Sequence, residues 1–224
     1  MDQKLHPYYP QSADLQGFVP NTLDVLQILL YFFGGLVAVL PFLAFLSFTY
    51  SKTKLSISRK MILCWLLLCG CIHLFLEGHF AIYHLDIHTR MDFLSQVWKE
   101  YAKGDSRYLL QDPFTVCMET ITAFLEGPGC FLTVWAFMRQ KSYRYLIQLV
   151  VSLGQFYGCV LYFSTEAMEG FIHGPMWHPL YFWFYFVFMN VLWIIIPFCL
   201  IVDSSLTIMS AQVSVDNSGS RKRR

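Results

Sequence analysis

An all-α fold, a polytopic membrane bundle of five transmembrane helices, is what this sequence predicts, and three observations predict it. Of the 224 residues 56% are hydrophobic and only 14% charged, which is more apolar and less charged than a soluble domain. Five apolar runs approach or exceed the roughly 20 residues that a helix needs to cross a bilayer. Each run is continuous, whereas a transmembrane barrel is built from alternating segments about half as long.

The elements follow in chain order. Residues 1–24 are polar and punctuated by proline, unlike a signal peptide, so the first span is expected to serve as the insertion signal. That span, Val25 to Tyr50, holds no charge and lies between Asp24 and Lys52. The second, Met61 to Tyr83, is apolar apart from His73, Glu77 and His79. After it, Phe93, Leu94, Val97, Trp98 and Tyr101 recur at helical spacing, with Lys99, Glu100 and Lys103 mostly on the other side. This predicts a short interfacial helix, which is either a cover over the bundle mouth or a surface connector. The third span, Pro113 to Met138, is interrupted by Glu119 and Glu126. The fourth, Tyr145 to Thr165, carries Gln148 and Gln155, and the fifth, Pro179 to Val202, carries Asn190, both without charge. Residues 25–203 thus form one membrane domain, and 204–224 are expected to be a polar, basic, disordered tail.

Several function classes drop out. A net charge of +1 gives no reason to expect nucleic acid. The seven cysteines, Cys64, Cys69, Cys71, Cys117, Cys130, Cys159 and Cys199, lie in apolar spans without metal-ligand spacing and are expected to be free, packed thiols. His84 and His88 are four apart but sit at the exit of the second span, so no metal is expected. There is no glycine-rich phosphate loop, nucleophile elbow or dinucleotide fingerprint, and no cofactor is expected.

What remains is the set of polar residues at membrane depth. In LCGCIHLFLEGHF, His73 and Glu77 lie one helical turn apart on one face, where their side chains meet. In CMETITAFLEGPG, Glu119 and Thr122 share a face. In the fifth span, Asn190 and Trp193 do the same. Ionisable groups at this depth cost a few kcal/mol each on insertion scales and mark cavities where they work. Carboxyls and an imidazole in a desolvated pocket are the parts of proton transfer. An apolar pocket inside the bilayer calls for an apolar substrate that arrives through lipid.

The segments GCIHLFLEGHF, SQVWKEYAKGDSRY, FTVCMETITAFLEGP, LVVSLGQFYG and HPLYFWFYFVFMNVLW resemble the emopamil-binding (EXPERA-type) family of sterol Δ8-Δ7 isomerases. The resemblance covers about Phe18 to Asp203, and WKEYAKGDSRY is its most specific run. It implies a five-span protein of the endoplasmic reticulum and nuclear envelope. Such a protein moves a 3β-hydroxysterol double bond from C8-C9 to C7-C8 in cholesterol biosynthesis, without a cofactor. Carried over residue by residue, it assigns His73, Glu77 and Glu119 to proton transfer. Thr122, Asn190, Trp193, Tyr101 and Tyr108 are assigned to substrate binding and carbocation stabilisation. It also implies binding of cationic amphiphilic amines, a homodimer and a possible partnership with a sterol reductase in an epoxide hydrolase complex. Better-known members carry an uncharged residue where this chain has Glu126, so Glu126 is left outside the expected site. The rival reading is a non-catalytic sterol or amine receptor, or a lipid transporter, of the same fold.

Orientation follows from Lys and Arg between the spans. Lys52, Lys54, Arg59, Lys60, Arg139, Lys141, Arg144, Arg221, Lys222, Arg223 and Arg224 fall on one side, against Lys4, Arg90, Lys99, Lys103 and Arg107 on the other. A cytosolic C-terminus and a lumenal N-terminus are expected. A tag placed after Arg224 should therefore be digested by protease added to sealed microsomes; a protected tag would reverse the topology.

Overall fold

The computed structural model describes residues 6–222, with side chains through Ser218. Every regular element among them is helical. Five helices are long and apolar enough to cross a membrane, as the sequence predicts. They are α1 (Val25–Thr49) and α2 (Ile57–Tyr83), then α4 (Pro113–Met138), α5 (Arg144–Met168), and α6, which opens at Pro179. Between α2 and α4 lies the short helix α3 (Phe93–Tyr101). The spans form a single bundle with a cavity between two buried clusters. Leu63, Leu66, Cys130, Val134, Phe137 and Leu200 pack one end, while Phe80, Trp98, Tyr108, Tyr162, Phe182 and Phe186 pack the other.

Local sequence sets the helix starts. Asp24 caps α1 in a reciprocal box with Gln27, Ser56 caps α2, and Asp112 caps α4 ahead of a proline at its first turn. Each supplies a side-chain acceptor for an otherwise unpaired backbone N–H. Only Ile28 of α1 is buried, because this helix lies at the bundle's edge with most of its apolar surface outward.

Three spans are not regular α-helices. α2 widens to a π-helix over Ile72–Glu77, and α4 does so over Thr122–Glu126. α6 begins as the π-helix Pro179–Phe188 and continues as the α-helix Met189–Lys222. Its helical run thus passes through residues that the sequence assigned to a disordered tail. Arg223 and Arg224, like Lys4, lie outside the described residues. The π turns of α2 and α4 face each other where the chains come closest. A Cβ on Gly127 would stand 3.1 Å from the Leu74 backbone nitrogen and 3.3 Å from His73 Cβ. With Ala123 four residues earlier, Gly127 forms the small-residue step that lets membrane helices approach closely.

α3 is a cover over the bundle mouth, and one expectation about it is corrected. Lys99 and Glu100 were placed on its outward side, yet Lys99 is wholly buried and Glu100 is 3% exposed. Glu100 turns into the cavity, where it accepts from Lys103 at 2.5 Å and from the Tyr185 hydroxyl at 3.4 Å, and Lys99 is covered by the N-terminal segment, which folds back over α3. Lys99 Nζ donates to the carbonyls of Val19 at 2.8 Å and Arg90 at 2.6 Å. Tyr8 donates its hydroxyl to the Lys99 carbonyl. Gln96 Oε1 accepts from the backbone of Thr22 and Leu23. Burial holds the Lys99 ammonium below its usual pKa, and these carbonyls replace the water it has lost.

Beyond α3 the chain is fastened by Arg107, which chelates Asp105 and stands 3.3 Å from Glu166. Burial opposes the charge of Arg107, but the Asp105 carboxylate outweighs it and raises its pKa. Glu166 also meets His173 at 2.7 Å. Glu166, Glu169 and His173 bring their donor atoms within 4.8 Å of one another. The guanidinium against Glu166 makes this an ion-pair knot. His84 and His88 do not converge on a shared point: each bonds a backbone carbonyl.

The cover seats on α6 through Gly104, where a Cβ would lie 2.6 Å from the Tyr181 carbonyl oxygen and 3.1 Å from Tyr185 Cβ. Gly104→Ala should destabilise the protein by about 1–3 kcal/mol, the usual range for overpacking. This reads as a lowered unfolding midpoint in detergent, and an unchanged midpoint would contradict this seating.

Candidate active site in the membrane

All eight residues singled out from the sequence, His73, Glu77, Tyr101, Tyr108, Glu119, Thr122, Asn190 and Trp193, line the cavity. They come from four separate elements. α2 supplies His73 and Glu77, α4 supplies Glu119 and Thr122, α6 supplies Asn190 and Trp193, and the α3 cover with the turn after it supplies Tyr101 and Tyr108.

At the centre are two carboxyls from facing helices. His73 Nδ1 is 2.7 Å from Glu77 Oε2, and the Thr122 hydroxyl donates to the same oxygen at 2.5 Å. That hydroxyl is also 3.0 Å from the Glu119 carbonyl and 3.5 Å from Glu119 Oε2. One threonine therefore stands between the carboxyls, a position created by the close approach at Gly127. Glu119 is 5% exposed and accepts from the Tyr108 hydroxyl at 2.6 Å. His73 is 2% exposed. Its Nε2 is 3.0 Å from the Gln155 amide nitrogen, which fits an imidazole donating from Nδ1 to Glu77 and accepting at Nε2.

The cover completes the enclosure. Asn190 donates through Nδ2 to the Tyr101 hydroxyl at 2.7 Å and to the Phe186 carbonyl at 2.8 Å. Its second carbonyl partner, Tyr185 at 3.3 Å, lies in the π-helical turn. Trp98 donates its indole N–H to the Leu76 carbonyl at 2.9 Å, tying α3 to α2 directly above Glu77. The rings of Trp98 and Tyr108 stack with centroids 4.7 Å apart. Burial raises the phenol pKa of both Tyr101 and Tyr108, so these hydroxyls donate and accept as neutral groups. At the opposite end Trp193 presents its ring 6.2 Å from the His73 ring and 5.2 Å from Trp65.

Chemically, this is an apolar, aromatic chamber with two carboxyls and an imidazole on one hydrogen-bonded string and an indole nearby. Protons can pass along the string, and positive charge on a bound molecule would find both carboxylates and ring faces.

Sequence reasoning missed several polar wall residues, among them Glu100, Gln155 and Glu126. Gln155 had been noted only as an uncharged residue in the fourth span, yet it is buried and holds the far side of His73. Its signal was the one that exposed Asn190, a lone amide at membrane depth. Glu126 is outside the site that the resemblance assigns, but it lines the same cavity, in keeping with its seven-residue spacing from Glu119. The cysteines are all free, with Cys69, Cys71, Cys130 and Cys159 buried, while Cys64, Cys117 and Cys199 are exposed on the bundle rather than packed.

Comparisons with known proteins agree with this architecture. Residues 93–204 match the family described as EXPERA (EXPanded EBP superfamily). The chain is 49% identical over 215 residues to the 3-beta-hydroxysteroid-Delta(8),Delta(7)-isomerase of Rattus norvegicus, covering 95% of this chain and 93% of that one. It is 39% identical over 208 residues to the probable enzyme of the same name from Oryza sativa, covering 92% and 93%. An isomeliandiol synthase of Melia azedarach is 35% identical over 151 residues, 66% of this chain and 68% of that one.

Proposed function

The chain belongs to the EXPERA family, and on that premise we propose that this isomerase moves the C8-C9 double bond of a 3β-hydroxysterol to C7-C8. The observation that carries the reading is the string His73, Glu77, Thr122, Glu119 along the wall of an apolar chamber between membrane-length helices. A ring alkene is apolar and weakly basic, so its migration needs a strong local acid, a base, and an environment that tolerates positive charge between the two steps.

Protonation at C9 leaves a tertiary cation at C8, and loss of a proton from C7 places the new double bond at C7-C8. The proton taken up and the proton lost balance, so no cofactor is required. His73, Glu77 and Glu119 are the donor and acceptor groups. Trp193 offers its ring face to the cation, a contribution of about 2 kcal/mol in a desolvated site. Thr122 and Tyr108 hold the two carboxyls in place. Asn190 and Tyr101 join the fifth span to the cover, closing the chamber against water. Such a chamber also explains affinity for cationic amphiphilic amines, because an ammonium placed at C8 imitates the intermediate.

Residence in the endoplasmic reticulum and nuclear envelope, a place in cholesterol biosynthesis, a homodimer and association with a sterol reductase rest on the family resemblance. A non-catalytic sterol or amine receptor is the rival, and turnover separates the two.

Glu77→Gln should lower isomerisation of zymostenol in membranes by roughly a hundredfold or more, because an amide keeps the shape but neither gives nor takes the proton. A wild-type rate would remove Glu77 from proton transfer. In deuterated water the product should carry deuterium at C9, and unlabelled product during measurable turnover would sink the protonation mechanism. Trp193→Ala should slow label incorporation roughly thirtyfold, the rate equivalent of about 2 kcal/mol. Tight sterol binding without any turnover would favour the receptor.

A further inference from the structure

The polar groups of the cavity fall into two sets. Toward the cover Glu119 is met by Tyr108, Glu77 by Thr122 and His73, and Asn190 by Tyr101, while the Tyr162 hydroxyl has no partner among the described residues. Around the far side of His73 the pattern reverses. Glu126 Oε2, Gln155 Oε1 and Trp193 Nε1 are buried polar atoms without a hydrogen-bond partner, and all three residues line the cavity. Gln155 is itself only 3% exposed.

The position of Glu126 depends on its neighbour. A Cβ on Gly154 would overlap Glu126 Oε1, so glycine at this position lets the carboxyl lie between α4 and α5 where a larger residue would displace it. An acid that a neighbouring glycine accommodates, at membrane depth and with one oxygen unmatched, is costly unless something bound there meets it.

We propose that Glu126, together with the Trp193 indole N–H, is the docking point for the hydroxyl group of the bound lipid, and that this contact sets how far along the cavity its rings sit. The atoms select a hydroxyl over other polar groups. Glu126 needs a donor and the indole needs an acceptor; a hydroxyl is both, an ammonium only donates, and a ketone or ether only accepts. The spacing also fits. Thr122 and Glu119 precede Glu126 by four and seven residues, about one and two turns along α4. A rigid tetracycle anchored at Glu126 thereby lays its middle rings beside Glu77 and Glu119. The identity of those rings rests on the isomerase reading; the hydroxyl contact does not.

The test is equilibrium binding of a Δ8 3β-hydroxysterol and of its 3β-methyl ether, which lacks the donor, to the purified full-length chain in detergent. Wild type should prefer the hydroxysterol by roughly tenfold or more, as for a hydrogen bond to a charged acceptor. Glu126→Leu should bring the ratio to within about twofold, and Glu126→Gln, which keeps an acceptor oxygen, should retain part of it. Taking the ratio cancels any general loss of affinity. Where the leucine variant does not fold, Gly154→Ala, which crowds the carboxyl, should lower the ratio instead. A wild-type ratio in these variants, or no preference in wild type, overturns the proposal. Because the readout is binding and not product, a preference that depends on Glu126 in a protein that does not isomerise sterols would leave this inference standing and sink the isomerase reading. Turnover without such a preference would do the reverse.

Discussion

Glu77 and Glu119 reach toward one threonine hydroxyl from opposite helices, inside segments that are otherwise apolar enough to cross a bilayer. Holding two carboxyls there is the constraint on which the rest of the structure depends. Each needs hydrogen bonds that hydrocarbon does not supply, so α2 and α4 must approach closely enough to share Thr122, and His73 and Tyr108 must arrive from either side. Gly127 and Ala123 permit the approach at the facing π turns, one of which contains Glu77 and the other Thr122. Without the small residues the helices would stand apart, and each acid would be left unmatched.

The second requirement is a roof. α5 packs most extensively on α6, and the aromatic start of α6 keeps that contact through Phe186 against Tyr162 and Phe163, but the end of the chamber still has to be covered. The α3 cover fills this gap with Trp98, Tyr101 and Tyr108. It carries polar groups of its own, and Lys99 shows how they are handled. A fully buried ammonium is satisfied by backbone carbonyls of the N-terminal segment and of the turn before α3, so the segment that precedes the first span becomes part of the enclosure. The Arg107, Asp105, Glu166 and His173 knot anchors the chain beyond the cover to the end of α5 in the same way. The chamber is therefore closed from the side by helices and from above by charge pairs and carbonyls that water does not reach. Such a site keeps its electrostatics strong, since low surrounding dielectric raises the worth of each fixed dipole.

The sequence by itself determined the class of the fold and most of the site. Five long apolar runs leave a chain no alternative to spanning helices, because only a helix satisfies its own backbone in lipid. Polar residues inside those runs are too costly to be incidental, which is why His73, Glu77, Glu119, Thr122, Asn190 and Trp193 were legible from spacing alone. The family motif added Tyr101 and Tyr108. The tertiary structure decided what periodicity cannot express. Glu126 stood outside the site that the resemblance assigns, although its seven-residue spacing from Glu119 already put it near the same stripe; only the packing of the spans shows that it lines the cavity. Lys99 looked solvated because helical periodicity separates two faces of an isolated helix and takes no account of a distant segment folding over the second, and Glu100 because it takes no account of the fifth span beside it. The partners of Gln155 and the overlap at Gly154 are likewise contacts between spans, set by packing rather than by the order of residues along either one.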